Sequence, residues 1–171
     1  MKILLLVSAG GEAFREKLGE LVATVARANE VRVLAPEAEA KLLRPLGVPV
    51  ESWRPSGLFS MLRSVGALRR AVERGEPDLI HAVGWTAAAV ALGSLAPARA
   101  ATMIVTLPEP IRANEIPRPF LEKRLPELLQ RAARFSVPDE ALARTLTEEF
   151  GVDPDRVQIT SNSQTIARNE G

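Results

Sequence analysis

A glycine pair and a single histidine are the residues whose types and spacing best suit the binding of a small polar ligand. Gly10 and Gly11 follow an apolar run at the start of the chain, and paired glycines let the backbone approach a ligand closely. The N-terminus of the helical pattern after them would favour an anionic group. His81 is the one histidine of the sequence, and its imidazole could bind a hydroxyl or assist proton transfer near neutrality.

Three further residues lie where they could join this site. Gly84 and Trp85 follow the apolar run that contains His81, and the indole could stack on the face of a sugar. Glu109 lies between two prolines that restrict its loop, and its carboxylate could act as the base for an acceptor hydroxyl. The candidate catalytic residues are therefore His81 and Glu109, and the candidate substrate-binding residues are Gly10, Gly11, Gly84 and Trp85.

Each candidate also has a structural interpretation. A glycine pair can form a tight turn without a ligand, and a histidine at the end of a buried strand, such as His81, is often a packing residue. Trp85 is more simply an anchor for the apolar helix that it begins, and a solvated loop glutamate such as Glu109 needs no function. Asp139, after a proline, is more simply a helix cap than a catalytic acid.

The composition limits the chemistry that the chain can perform. The 171 residues include no cysteine and one histidine, so neither a thiolate nucleophile nor a metal site built from Cys and His ligands is expected. The 22 basic and 21 acidic residues give a formal charge of +1, which provides no field that would attract nucleic acid. We expect no metal and no nucleic-acid partner.

The apolar runs predict neither a leader nor a membrane span. The run from Ile3 to Val7 is too short for a secretory signal peptide. The run from Thr86 to Pro97 is well below the roughly 20 residues that cross a bilayer. These features predict a cytoplasmic protein.

Seven short apolar or β-branched runs alternate with longer helical patterns, which is the rhythm of βαβ units. The predicted strands lie at residues 2–7, 30–35, 48–53, 78–83, 102–107, 134–137 and 156–160. The first, fourth and fifth are apolar on consecutive residues, as central strands are when helices cover both faces of a sheet. The pattern predicts a Rossmann-like, doubly wound α/β fold with a mostly parallel sheet of about seven strands.

The helical patterns between these runs complete the domain. Residues 13–29 and 58–74 are amphipathic, whereas residues 85–95 are apolar all round, as in a buried crossover helix. We predict one domain over residues 1–160, and the polar residues 161–171 read as a linker or disordered tail.

The order of several motifs resembles that of family-4-type glycosyltransferases with the GT-B fold. The matching segments are residues 2–7, 9–11, 29–33, 77–82, 104–107 and 150–157, and together they cover Met1 to about Asn162. The resemblance implies the N-terminal, acceptor-side half of a two-domain enzyme. By the usual strand order of this fold, the ligand crevice would lie between the first and fourth strands, where the order reverses.

The resemblance implies that a second domain performs part of the reaction. That donor domain, missing here or supplied by a separate chain, would hold a nucleotide sugar, which serves as co-substrate so that no cofactor is needed. This half would bind a sugar or a lipid-linked acceptor and would be inactive alone. With the donor domain it would transfer a hexosyl group with retention of configuration.

Three departures from the family pattern favour an alternative, a non-catalytic sugar- or nucleotide-binding or scaffold module. Val83 stands where the family commonly has a second histidine. Pro108 and Glu109 follow the fifth strand, where the family commonly has a histidine. The usual Pro-Asn-Gly before the donor domain is replaced by residues 161–163, which read Ser-Asn-Ser.

Two surface features suggest further partners. Residues 112–134 hold six Arg or Lys against three Glu in an amphipathic pattern, which could make a weak contact with an anionic membrane surface. Every helix of an α/β fold is amphipathic in any case, so packing on the sheet is the simpler explanation. An apolar edge left by a missing domain could also support a homodimer.

Overall fold

The computed structural model describes residues 1–8, 10–53, 58–95, 102–111 and 125–160. Seven strands lie in these residues and form one sheet, in which each neighbouring pair is parallel. The strands are β1 (Lys2–Val7), β2 (Glu30–Ala35), β3 (Val50–Ser52), β4 (Leu79–Val83), β5 (Met103–Thr106), β6 (Arg134–Val137) and β7 (Val157–Ile159). Their order is β3-β2-β1-β4-β5-β6-β7, which confirms the predicted doubly wound α/β sheet and its three central strands.

Helices connect the strands and cover the sheet. Those in the described residues are α1 (Glu12–Ala26), α2 (Glu37–Leu43), α3 (Leu58–Gly75), α4 (Trp85–Ser94), α5 (Leu125–Leu129) and α6 (Glu140–Arg144). The three predicted helical patterns correspond to α1, α3 and α4. Asp139 caps α6 as predicted, because its carboxylate accepts the amide of Leu142 at 2.9 Å.

Each face of the sheet carries its own apolar core, since successive side chains of a strand point to opposite faces. On β1, Leu4 and Leu6 belong to a core that also contains residues of α3, α4, α5 and α6, and we call this side the α3–α4 face. Ile3, Leu5 and Val7 pack with α1 and α2 on the other side, the α1–α2 face. Helices therefore cover both faces, as the apolar pattern of the central strands predicts.

Helix α4 is buried along most of its length, as its apolar sequence predicts. The residues from Trp85 to Leu92 are all buried. Its C-terminal carbonyls are satisfied by Arg131, whose guanidinium donates to the carbonyls of Leu92 at 2.9 Å and Leu95 at 3.0 Å. In the described part of the chain, no helix is long and apolar enough to cross a membrane.

Part of the basic segment at residues 112–134 packs into the core. Leu125, Leu128 and Leu129 of α5 are buried on the α3–α4 face, which is the ordinary packing of an amphipathic helix on its sheet. Residues 112–124, where most of the basic side chains fall, lie outside the described residues, as do residues 161–171.

Candidate functional site

A crevice opens at the carboxyl edge of the sheet, between the ends of β1 and β4. The described residues that line it are Ser8, Gly10, Phe14, Val83, Gly84, Trp85, Pro108 and Glu109. β1 pairs directly with β4, so this is the point where the strand order reverses and where doubly wound sheets bind ligands. The structure thus brings Gly10, Gly84, Trp85 and Glu109 to one place, and their roles in binding or catalysis stay predictions.

Gly84 connects β4 to α4 in a geometry that other residues would strain. Its φ is +93°, in the region that only glycine adopts freely. A Cβ at this position would lie 2.7 Å from both Cβ and Oγ of Ser8. The Gly84 amide donates to the carbonyl of Thr106 at 2.8 Å, so this glycine holds the ends of β1, β4 and β5 close together.

Ser8 is a residue of the crevice that the sequence did not reveal. Its Oγ accepts the amide of Ala87 at 2.8 Å, and its own amide donates to the carbonyl of Val83 at 2.8 Å. The hydroxyl therefore caps α4, whose N-cap position is the side-chain-free Gly84. A capping residue is usually sought next to its own helix, whereas Ser8 lies 79 residues from Ala87.

The glycine pair forms the loop between β1 and α1. Gly10 faces the ring of Phe14 so closely that an added Cβ would lie 1.8 Å from its Cδ1. The Gly10 amide donates to Oε1 of Glu39 at 3.4 Å. Gly11 is the N-cap of α1, without a side-chain cap, and its carbonyl accepts the amide of Arg15 at 3.1 Å. Close packing, as well as ligand access, therefore favours glycine at position 10.

Trp85 anchors the wall of the crevice. The side chain is almost fully buried, and its Nε1 donates to the carbonyl of Glu109 at 2.9 Å. The indole also contacts the Phe150 ring, with centroids 5.6 Å apart. These contacts favour the anchoring interpretation of Trp85 over sugar stacking. Through the same hydrogen bond, the backbone of Glu109 is fixed at the crevice, with its side chain half-buried.

His81 lies in the middle of β4 and is not among the residues that line the crevice. The prediction that its imidazole points into the crevice beside Gly10 and Gly11 is therefore wrong. Strand side chains point to the faces of a sheet, and the residues that reach its carboxyl edge are those at the strand end, such as Val83, or beyond it. His81 Nε2 lies 2.8 Å from Oγ1 of Thr106. Burial lowers the pKa of His81 to about 4, which favours the packing interpretation.

The carboxylate of Glu39 is a second feature that the sequence analysis missed. The residue lies on α2, is fully buried, and contacts both the Gly10 amide and the side chain of Arg15. A glutamate in the first turn of a helix usually faces solvent, so no local pattern signals this contact.

Neither the shape nor the charges of the crevice indicate a self-sufficient site. Its ≈ 230 Å³ of empty space includes open solvent, so the described residues do not enclose a ligand as most small-molecule pockets do. Within the described residues, no three His, Asp or Glu side chains lie together as metal ligands would. Among the described residues that line the crevice, Phe14, Val83, Trp85 and Pro108 bring apolar side chains, and Glu109 brings the one carboxylate.

Comparison with known proteins identifies the family. Residues 14–163 match the family described as "Glycosyl transferase 4-like domain". The chain belongs to this family. No curated protein sequence matches the chain at a significant level.

Solved structures with the same fold are glycosyltransferases and epimerases. The chain is similar to HepE of Anabaena in complex with UDP, with a TM-score of 0.69 and 23% identity over 95% of this chain and 44% of that one. A glycosyltransferase from Rickettsia africae gives a TM-score of 0.65 and 14% identity over 92% and 42%. The UDP-GlcNAc 2-epimerase from Neisseria meningitidis bound to UDP-GlcNAc gives a TM-score of 0.62 and 17% identity over 94% of this chain and 46% of that one. The chain therefore spans less than half the length of each of these proteins and corresponds to one half of a GT-B fold.

Proposed function

We propose that this chain is the acceptor-binding half of a glycosyltransferase that takes a sugar from a nucleotide-sugar donor. The observation that carries the proposal is the crevice between β1 and β4, which lies at the switch point of a sheet that belongs to a glycosyltransferase family. The donor would be held mainly by a second domain, so the chain would not turn over alone. The transfer would be that of a hexosyl group with retention of configuration.

The open form of the crevice supports a need for a second domain. The described residues line it from one side and leave it open to solvent, whereas small-molecule sites usually bury most of the surface of their ligand. Exclusion of water from the reacting groups strengthens the electrostatic interactions at a catalytic site. A domain that closes over this edge would supply the missing wall.

The residues of the crevice suggest separate roles in this proposal. Gly11 is not among the lining residues, but it is the N-cap of α1 and follows the lining residue Gly10, so the amides at that helix N-terminus would favour an anionic group of the donor. The half-buried carboxylate of Glu109 would accept a hydrogen bond from an acceptor hydroxyl and could take its proton. Trp85 would hold the loop of Glu109 in place through its carbonyl.

A non-catalytic binding module is the second candidate, and the position of His81 favours it. The one imidazole of the chain is buried in the sheet and hydrogen-bonded to Thr106, so it does not supply the crevice with an acid or base. Glu109 would then be the one candidate base among the residues that line the crevice.

Turnover assays test the proposal. We expect the isolated chain to show no transfer from UDP-sugars to an acceptor panel, and we expect transfer when a donor-side domain from a complete relative such as HepE is added. Glu109→Gln should then reduce kcat by about 10²- to 10⁴-fold, the usual contribution of a general base. Glu127→Gln, an exposed glutamate on α5, is the control and should leave the rate unchanged.

Two outcomes would contradict the proposal. Turnover by the isolated chain at the rate of a complete enzyme would show that no donor domain is needed. Binding of a sugar at the crevice without transfer in any combination with a donor domain would favour the non-catalytic module.

A further inference from the structure

The loop between β1 and α1 is tied to α2 by one buried carboxylate. Glu39 is fully buried, and its Oε1 accepts Nε of Arg15 at 2.9 Å and the amide of Gly10 at 3.4 Å. The two partners lie 24 and 29 residues away in the sequence. Arg15 belongs to the start of α1, and Gly10 lines the crevice. One side chain of α2 therefore holds both ends of the turn that enters α1.

This carboxylate is only half satisfied. Oε2 of Glu39 is buried and has no hydrogen-bond partner, and a buried polar atom without a partner costs stability. Burial of the charge carries a desolvation penalty, which one ion pair with the part-exposed Arg15 offsets only in part. We therefore expect the net contribution of Glu39 to stability to be small, and its role to be the placement of the two groups that its other oxygen holds.

The Gly10 backbone is clamped between Glu39 and Phe14. On one side its amide is held by the carboxylate. On the other side the Phe14 ring lies where a Cβ would be, 1.8 Å from it at Cδ1. Phe14 and Gly10 both line the crevice. A shift of this loop would therefore move two of the residues that line the crevice.

We propose that Glu39 is a positioning residue of the crevice, which fixes the β1–α1 loop through the Gly10 amide while Arg15 holds the carboxylate in place. The residue does not contact a ligand, because its side chain is enclosed. Its effect on ligand binding rests on the proposed function of the crevice, whereas its effect on the loop does not.

The test compares two glutamates of the same helix. Glu39→Leu removes the acceptor and keeps an apolar volume at a buried site. The control is Glu37→Leu, which removes an exposed ion pair with Arg44 and has no contact with the loop among the described hydrogen bonds. Glu39→Gln keeps one acceptor oxygen and removes the charge, so it should restore the contact in part.

Hydrogen exchange and the proton shift of the Gly10 amide, measured by NMR on the full chain, report on the loop. We expect exchange to be about tenfold faster in Glu39→Leu, as for an amide released from its bond, and unchanged in Glu37→Leu. Glu39→Gln should give an intermediate amide shift. The thermal midpoint of Glu39→Leu should stay within a few degrees of the control, because the exposed Arg15 can be solvated when unpaired.

Titration with UDP-glucose, followed on the amides of the crevice, reports on binding. We expect Glu39→Leu to bind on the order of tenfold more weakly than Glu37→Leu, since a displaced loop loses contacts. Equal Gly10 exchange in the two leucine variants, or equal affinity when the loop is released, would overturn the proposal. If the unsubstituted chain binds no UDP-glucose while the Gly10 amide still responds, a direct contribution of this crevice to donor binding is ruled out and the positioning role of Glu39 stands. If Glu39→Leu does not fold, Glu39→Gln alone tests the proposal. A Gly10 amide proton shift in Glu39→Gln equal to that of the unsubstituted chain would then overturn it.

Discussion

At the scale of single residues, burial determines what His81 can do. The imidazole is neutral at physiological pH because desolvation lowers its pKa to about 4. It therefore carries no positive charge that would attract a donor phosphate. Its hydrogen bond with Thr106 joins β4 to β5 on the α1–α2 face. A pH dependence of ligand binding near pH 6.5 is consequently not expected from this residue.

The same shift makes a prediction about stability. An unfolded histidine titrates near 6.5 and the folded one near 4, so the unfolded state binds more protons between these values. The free energy of unfolding should therefore fall as the pH is lowered from about 6.5 to about 4, by on the order of 3 kcal/mol from this residue. His81→Gln should lack this component.

Urea unfolding of both proteins at several pH values measures the difference in their free energies of unfolding. The contributions of carboxylates that titrate in both proteins cancel in this difference. We expect the pH profile of the unsubstituted chain to be steeper than that of His81→Gln in this window. Parallel profiles, or an imidazole resonance that titrates near pH 6.5, would show that His81 is solvated in the folded protein.

At the scale of elements, the end of α3 departs from the sequence pattern by one residue. The amphipathic pattern covers residues 58–74 and so leaves Gly75 just beyond the helix, but Gly75 is the last residue of α3. Glu76 takes the positive φ, at +40°, and its amide donates to the carbonyl of Val72 at 2.9 Å. A residue with a Cβ in this region stores strain that glycine would not.

Glu76→Gly should therefore raise the free energy of unfolding by about 1 kcal/mol. The matched control is Glu73→Gly, an exposed position inside α3, where glycine should lower stability by about 1 kcal/mol. Thermal unfolding followed by circular dichroism measures both changes. Destabilisation by both substitutions would show that the strain at Glu76 is not relieved by glycine.

At the scale of the whole molecule, β1 links the two cores. Leu4 and Leu6 belong to the core of the α3–α4 face, whereas Ile3, Leu5 and Val7 belong to that of the α1–α2 face. β1 therefore cannot unfold without exposing apolar side chains on both sides of the sheet. The described residues should consequently behave as one cooperative unit.

Equilibrium unfolding tests this cooperativity with two probes. Trp53 and Trp85 are both buried on the α3–α4 face, so their fluorescence reports mainly on that core, whereas circular dichroism reports on helices of both faces. We expect the two urea transitions to coincide, as in two-state unfolding. Separate midpoints would show that the two faces unfold independently.

Much of this architecture could be predicted from the sequence because the signals are local. Consecutive apolar residues in β1, β4 and β5 indicate burial on both faces, whatever the rest of the chain does. The uniformly apolar α4 and the cap at Asp139 are equally local, since they depend on neighbours within one or two turns. The strand order, by contrast, was predicted from the resemblance to a known fold.

The crevice shows the limit of local signals. Four candidate residues each follow a strand, and the carboxyl ends of parallel strands share one edge of the sheet. The sequence therefore predicted that they would meet there: Gly10, Gly84, Trp85 and Glu109. The direction of the His81 side chain did not follow from the pattern, although the predicted strand and β4 both end at Val83. His81 lies two residues before that end, where side chains point to the faces of the sheet.

The sequence by itself determined the seven strands and which three of them are central, because periodicity and apolar runs are signals over a few residues. It also determined the sheet edge at which the candidate residues gather. Only the tertiary structure decided which polar groups meet there. Ser8 caps α4 from 79 residues away, and Glu39 holds Gly10 from 29 residues away. Such pairs form because packing the helices on the sheet buries polar atoms, which then require hydrogen-bond partners nearby in space. The two partners are far apart in the chain, so no local sequence pattern indicates that they will meet.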